Sequence, residues 1–344
     1  MLYIEKGARV PLPRKYRPIN NTSAHIYDQL VAIIKDDLFK SFGEVELDHL
    51  LMDEFDVSRE SVLDFLVRNG DKVVVREVLI KRIASGVIAD LANFVYESIS
   101  AAKRGKLTVA YALLRKPFTD ELLILERLLT ESDKFIDEFY YDRKGDEKYD
   151  PVDFRNRKSD IKTIINDSVF KINSELYSSD LLYKLRYDGE SHAGIYGESQ
   201  RALHIVTNGN GYATEMRNLN FVFSNENDMD SQWKHFYFVM PYLLIYTCSV
   251  VDCIYALYLK TDQQQHAFNS RSIKRFFGII QWLNQSNWNK DKERLSVGRK
   301  IRKLLKHKCD CCNHINSVDK YDMDLYFEAE LLICKKCFRP YSLQ

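Results

Sequence analysis

Apolar residues recur three and four apart along most of this chain, the spacing of helices that bury one face. Over 23–42 the stripe is Ile26, Leu30, Ile33, Ile34 and Leu38, with Ser23 as the expected N-cap. Residues 44–69 read as two short helices split at Asp56-Val57-Ser58. The segment 72–103 opens on Val73-Val74-Val75, a candidate short strand. It continues as a helix through Ile83, Val87, Leu91, Phe94, Val95 and Ile99 until Gly105 breaks it. The clearest helix spans 107–130, where Leu107, Leu113, Leu114, Leu122, Leu125 and Leu129 form the stripe and Pro117 predicts a kink. Arg115 and Glu121 flank that kink and are expected to form a structural ion pair. Helical patterns return at 161–176, 180–186 and 270–285.

The intervals between these patterns differ in kind. Residues 1–20 carry Pro11, Pro13 and Pro18 with Arg9, Arg14, Lys15 and Arg17, and read as a basic, solvated arm. Residues 141–158 are dense in charge and predict an exposed linker. Five of the thirteen glycines fall at 189–211, where a long loop is expected. Residues 236–259 hold a single charge, Asp252. That length would suit a membrane span. Pro241 and tyrosines spread through the segment instead favour a core helix buried on all sides, with Cys248 and Cys253 as inert core residues.

Composition sharpens the picture. With 13 Gly and 7 Pro in 344 residues, the chain suits long helices better than a turn-rich sandwich. Fifty basic residues balance 49 acidic ones, so an electrostatic footprint must be local. The opening residues lack the pattern of a signal peptide. Five of the seven cysteines crowd the last thirty-six residues, and their paired spacing reads as metal binding in a reducing, cytoplasmic setting.

Cys309 and Cys312 form one C-x2-C pair, and Cys334 and Cys337 form a second. Two tight turns whose sulfurs converge complete a tetrahedron around a structural zinc ion, with no coordination position left for water. Strand-like residues at 324–333 lead into Cys334. The stretch 307–341 resembles a zinc ribbon, in which β-hairpins carry the two knuckles. The glycine usual after each second cysteine is replaced by Asn313 and Phe338, and Cys311, His307 and His314 remain alternative ligands. The basic stretch just before it includes Arg294, Arg299, Lys300, Arg302, Lys303 and Lys306, a candidate nucleic-acid surface.

Two further segments carry resemblances. Val57-Ser58-Arg59-Glu60-Ser61-Val62, within 47–70, resembles a helix-turn-helix in which Ser58 caps the recognition helix. Glu60 and Asp64 would repel phosphate there, so a plain helical hairpin is expected. Leu113-Leu114-Arg115 with Glu121 resembles an uncharacterised helical family. Arg186 and His192 fit a signature of Arg, four to six residues, then His, as do Arg302 and His307, and the helical middle, about 80–285, resembles the HEPN-like superfamily that carries it. That resemblance implies a metal-independent ribonuclease of phage-defence or toxin type, completed across a homodimer. His192 would move the proton of a ribose 2′-hydroxyl, and Arg186 would hold the phosphate.

The expected fold is mainly α. A basic arm and helical module occupy 1–75, a HEPN-like helical core 76–289, and a basic helix with a small β zinc ribbon 290–344. The expected function is a cytoplasmic, nucleic-acid-interacting protein favouring RNA. The alternatives are a non-catalytic interaction module braced by zinc and a membrane protein spanning at 236–259.

Overall fold

A computed structural model describes residues 1–36, 55, 61–69, 72–142, 149–155, 157–191, 193–220, 226–259, 265–285 and 305–341. The fold is mainly α, as the spacing predicts, and its only described strands lie in two small hairpins near the C-terminus.

Helix α1 (Arg17–Lys35) begins earlier than Ser23. Pro18 lies in its first turn, where a missing N–H leaves no hydrogen bond unmade. Ser23 is buried inside the helix and its hydroxyl donates back to the Ile19 carbonyl at 2.8 Å. The arm before it is not a solvated tail. Leu2, Ile4 and Leu12 are buried. Asn21 accepts from the Ile4 N–H at 2.8 Å and donates to the Ile4 carbonyl at 2.9 Å, while Asn20 donates to the Leu2 carbonyl at 3.0 Å. The Arg17 guanidinium donates to the carbonyls of Ala8, Val10 and Leu12. Side chains of α1 thus satisfy a backbone that has no regular partner of its own.

Helix α2 (Val62–Arg68) is capped by Ser61, not Ser58, through a 3.2 Å bond from the Asp64 N–H. Most of the helix-turn-helix segment, Ser58 included, lies outside the described residues. Helix α3 (Lys72–Lys103) absorbs Val73-Val74-Val75, so the candidate strand is helical. Burial of Val75 outweighs the β preference of that triplet. Gly105, at φ +77°, ends this helix by turning the chain into the left-handed region.

Helices α4 (Leu107–Arg115) and α5 (Leu122–Thr130) are one run interrupted by a π-helical segment, Lys116–Glu121. Pro117 cannot donate to the preceding turn, and the helix accommodates it by widening. The Phe118 and Thr119 carbonyls accept from Arg186 Nε and the Tyr187 hydroxyl, each at 2.7 Å. Glu121 pairs with Lys116 at 3.0 Å, not with Arg115, because the π turn brings the lysine alongside. Lys116 also binds Asp90 on α3. Burial, then the neighbouring Asp90, push the Glu121 carboxyl up to about 7 against the opposing pull of Lys116. The folded state therefore holds a proton that the unfolded chain releases near 4.5. Stability from that proton is complete below the unfolded value and disappears as pH rises through the folded one. In urea titrations from pH 4.5 to 7.5, Glu121→Gln should remove a loss on the order of 2 kcal/mol that the native chain shows. Parallel pH profiles for the two proteins would refute this assignment.

Helices α6 (Ser132–Ile136), α7 (Pro151–Arg155), α8 (Lys158–Ile172) and α9 (Ser179–Arg186) follow. Part of the glycine-rich stretch is helical, as α10 (Ile195–Leu203), and the remainder is loop. Helix α11 (Glu226–Leu259) is the centre of the fold, packed by α1, α4, α5, α8 and α12 (Gln265–Gln285). It is long and apolar enough to cross a membrane, but 89% of its most apolar window is buried within the fold. Its polar groups have partners there. Tyr237 donates to Asn20 at 2.9 Å, Tyr246 donates to Glu126 at 2.8 Å, and Asp252 binds Arg271 and Arg275. Tyr242 accepts from the Ser178 N–H at 3.1 Å, so three of the tyrosines on this helix have polar partners from different elements. Burial pushes the Cys248 and Cys253 thiols up to about 12 and about 11, in keeping with inert core residues.

Candidate metal centre

The C-terminal module consists of two antiparallel hairpins with a helix between them. Strand β1 (Lys306–Lys308) pairs with β2 (Ile315–Ser317), and β3 (Leu332–Ile333) pairs with β4 (Pro340–Tyr341). The intervening segment is helix α13 (Lys320–Ala329), not strand. Asp319 and Asp322 form a reciprocal capping box at its start. Met323, Tyr326 and Phe327 are buried on one helical face, which overrides the strand preference of the same residues.

Each hairpin carries one knuckle, and the two repeat the same bonds. The Cys309 N–H donates to the His314 carbonyl at 2.8 Å, and the Asn313 N–H donates back to the Cys309 carbonyl at 2.8 Å. The Cys334 N–H donates to the Arg339 carbonyl at 2.9 Å, and the Phe338 N–H donates to the Cys334 carbonyl at 2.9 Å. Asn313 and Phe338, where glycine is usual, both take the left-handed conformation, at φ +57° and +59°. The turns therefore keep their shape without glycine.

This geometry gathers Cys309, Cys312, Cys334 and Cys337, whose sulfurs all lie within 4.8 Å of one another. Cys309 and Cys337 are 3.7 Å apart, and Cys312 and Cys334 are 3.6 Å apart. A tetrahedral zinc–thiolate site, with Zn–S of about 2.3 Å, has sulfur–sulfur edges of about 3.8 Å. A disulfide would need about 2.05 Å. Cys311 is exposed, and neither it nor His307 or His314 joins the group. His307 stacks on Tyr341 at 4.9 Å, tying the two hairpins together. The site fits a zinc ion held by four thiolates.

The thiols are unequal without a cation. Burial works against a Cys334 thiolate, but the N–H groups of Cys337 and Lys336 and the Asn316 carboxamide bring it down to about 5. The Cys312 thiol is held up at about 12, where burial and its three sulfur neighbours outweigh a backbone bond at His314.

The module is electrically polarised. Helix α13 turns acids toward the helical core: Glu330, just past its end, binds Lys274 at 2.7 Å, and Asp324 accepts from Gln281 at 3.3 Å. Phe327 stacks on His25, and Tyr326 meets Phe277 edge-on. The hairpins face outward with Lys306, Lys308, Lys336 and Arg339 exposed. Lys335 is spent within the module on Asp319 and Asp322. Of the basic residues singled out in the sequence, Lys306 is on β1, whereas Arg294, Arg299, Lys300, Arg302 and Lys303 lie outside the described residues.

Of the other candidate site, the structure describes Arg186 alone. Arg186, the last residue of α9, is fully buried. Its Nη1 and Nη2 donate to the two Glu126 oxygens at 2.6 and 2.8 Å, and its Nε donates to the Phe118 carbonyl. A guanidinium so enclosed has no face to offer a phosphate, which corrects its expected catalytic role. His192 lies outside the described residues. Comparison with family models, curated proteins and solved structures finds no match to this chain. The HEPN-like resemblance therefore stands without a family match.

Proposed function

We propose that this chain binds single-stranded nucleic acid, RNA in preference to DNA, through the outward hairpins of its metal module and the basic stretch leading into them. The supporting observation is the cationic outer face of the module, where Lys306, Lys308, Lys336 and Arg339 are exposed on the hairpins. With Lys335 paired inside the module, residues 306–318 and 331–341 still carry Lys306, Lys308, Lys336 and Arg339 against one acid, Asp310. The preceding residues 290–304 add Lys290, Lys292, Arg294, Arg299, Lys300, Arg302 and Lys303 against Asp291 and Glu293. Such local excess in a chain of balanced charge is an electrostatic footprint for phosphate. A cleft of about 1200 Å³ between the arm, α1 and α13 carries Lys6, Arg9, Arg14, Arg17 and Lys320 together with Glu5, Asp324 and Glu328.

The zinc ion braces this surface and takes no part in chemistry. Cleavage is left out of the proposal because Arg186 is committed to Glu126. A reducing compartment goes with the reading, since four thiols must stay available to the metal.

Fluorescence anisotropy with a labelled single-stranded RNA, titrated across salt concentration, tests it. Log affinity should fall linearly with log salt, with a slope of about −0.7 per phosphate neutralised. Replacing Lys306 and Lys308 with serine should flatten that slope by about 1.4. Absence of salt-dependent binding to RNA and DNA at low ionic strength would remove the proposal. Tighter binding to DNA of the same sequence would remove the RNA preference.

A further inference from the structure

The two knuckles make the same turn with residues of very different suitability. Asn313 tolerates the left-handed conformation because its short polar side chain bonds locally. Phe338 occupies the matching position of the second knuckle, where a β-carbon and a bulky ring are disfavoured and glycine would meet the need. Its ring gains nothing from the fold in return. Phe338 is 78% exposed and stacks on no other ring among the described residues. A disfavoured backbone and a large apolar side chain in water thus coincide at the tip of a metal-held turn. Lys336 and Arg339 flank the ring, both exposed.

We propose that Phe338 is a stacking platform for an unpaired base, with Lys336 and Arg339 receiving the phosphates on either side. The assignment rests on the nucleic-acid reading above and names the part of the strand that is recognised. A phenyl face accepts any base and supplies no hydrogen bond, so contact is tolerant of sequence. It requires a base face that a duplex keeps covered, which selects single strands. The second knuckle fixes the backbone that carries the ring, so little backbone freedom is lost on binding. Cations on both sides of the ring favour a nucleic acid over an apolar groove on a protein, which would have to bury them.

The experiment uses the full metal-loaded chain with Phe338→Gly and Phe338→Trp. The probe is a single-stranded RNA carrying one 2-aminopurine, alongside its duplex. Phe338→Gly should raise the thermal midpoint of the module, because it removes the left-handed strain, and should weaken single-strand binding about tenfold. Phe338→Trp should retain binding, and the fluorescence change on stacking should occur with Phe and Trp but not with Gly. Three results overturn the assignment. If the glycine variant binds RNA as tightly as the native chain, with the salt dependence unchanged, the stacking role fails while the cationic reading stands. If the glycine variant lowers the thermal midpoint, the ring braces the knuckle instead. If the native chain binds no RNA at any salt concentration, both readings fail together.

Discussion

Stripping the metal from this protein is expected to unfold residues 305–341 while the helical core stays folded. The module has few buried apolar groups of its own, among them Val318, Met323, Tyr326, Phe327 and Leu332. Its strands are two or three residues long. Such a unit cannot offset its own chain entropy by burial. The four thiolates supply the difference, and structural zinc sites of this kind carry an apparent 10–16 kcal/mol, about the scale of a whole domain's stability. Elemental analysis of reduced protein should find about one zinc per chain. Chelation, or Cys334→Ser, should release it, melt the short helix α13 and expose the chain after Leu305 to protease. The core should keep its far-ultraviolet signature, since α11 packs chiefly against α1, α4, α5, α8 and α12. Full metal-free protein with an unchanged digestion pattern would show that the sulfurs hold nothing.

Much of the fold could be read from local pattern because a helix needs only local information. Helices α1, α3 after its valines, α4 and α5 lie where periodicity puts stripes, though Leu38 of the first stripe lies outside the described residues. The paired cysteines were legible for the same reason, as each knuckle closes within six residues. What could not be read is what distant residues do to one another. Arg186 meets a carboxylate sixty positions away, and no spacing rule links the two. The arm looked solvated because its hydrogen-bond partners, Asn20, Asn21 and Arg17, are on a helix that follows it. The helix between the knuckles was missed for a different reason. Its aromatic and aliphatic residues favour strand singly, yet Met323, Tyr326 and Phe327 fall at helical spacing and Asp319-x-x-Asp322 marks a helix start. Both signals were present in the sequence and outrank single-residue preference.

Breaking the Arg186–Glu126 pair is expected to destabilise the core by about 3–5 kcal/mol, the cost of leaving one buried charge without its partner. The pair lies at the junction of four elements. Glu126 is on α5 and Arg186 ends α9. Tyr246 from α11 donates to the same Glu126 oxygen at 2.8 Å, and Arg186 donates to the Phe118 carbonyl in the π segment at 2.7 Å. Burial disfavours the cation, but Glu126 and then Tyr187 hold the Arg186 guanidinium firmly charged, its pKa above the ordinary arginine value. Arg186→Met leaves Glu126 facing apolar surroundings and frees the Phe118 carbonyl, so its loss should sit at the upper end of that range. Glu126→Gln keeps an acceptor for Tyr246 and should cost less. Replacing both charges, as Arg186→Met with Glu126→Leu, removes the uncompensated ion and should recover a large part of the loss, giving a strong coupling energy in a double-mutant cycle. Urea unfolding of the native chain, Arg186→Met, Glu126→Leu and the double variant measures it. The same set separates a structural pair from a phosphate site: Arg186→Met should lower the unfolding midpoint yet leave RNA affinity unchanged where the protein remains folded. A variant of native stability with weakened RNA binding would return Arg186 to the binding surface and sink its assignment to the core.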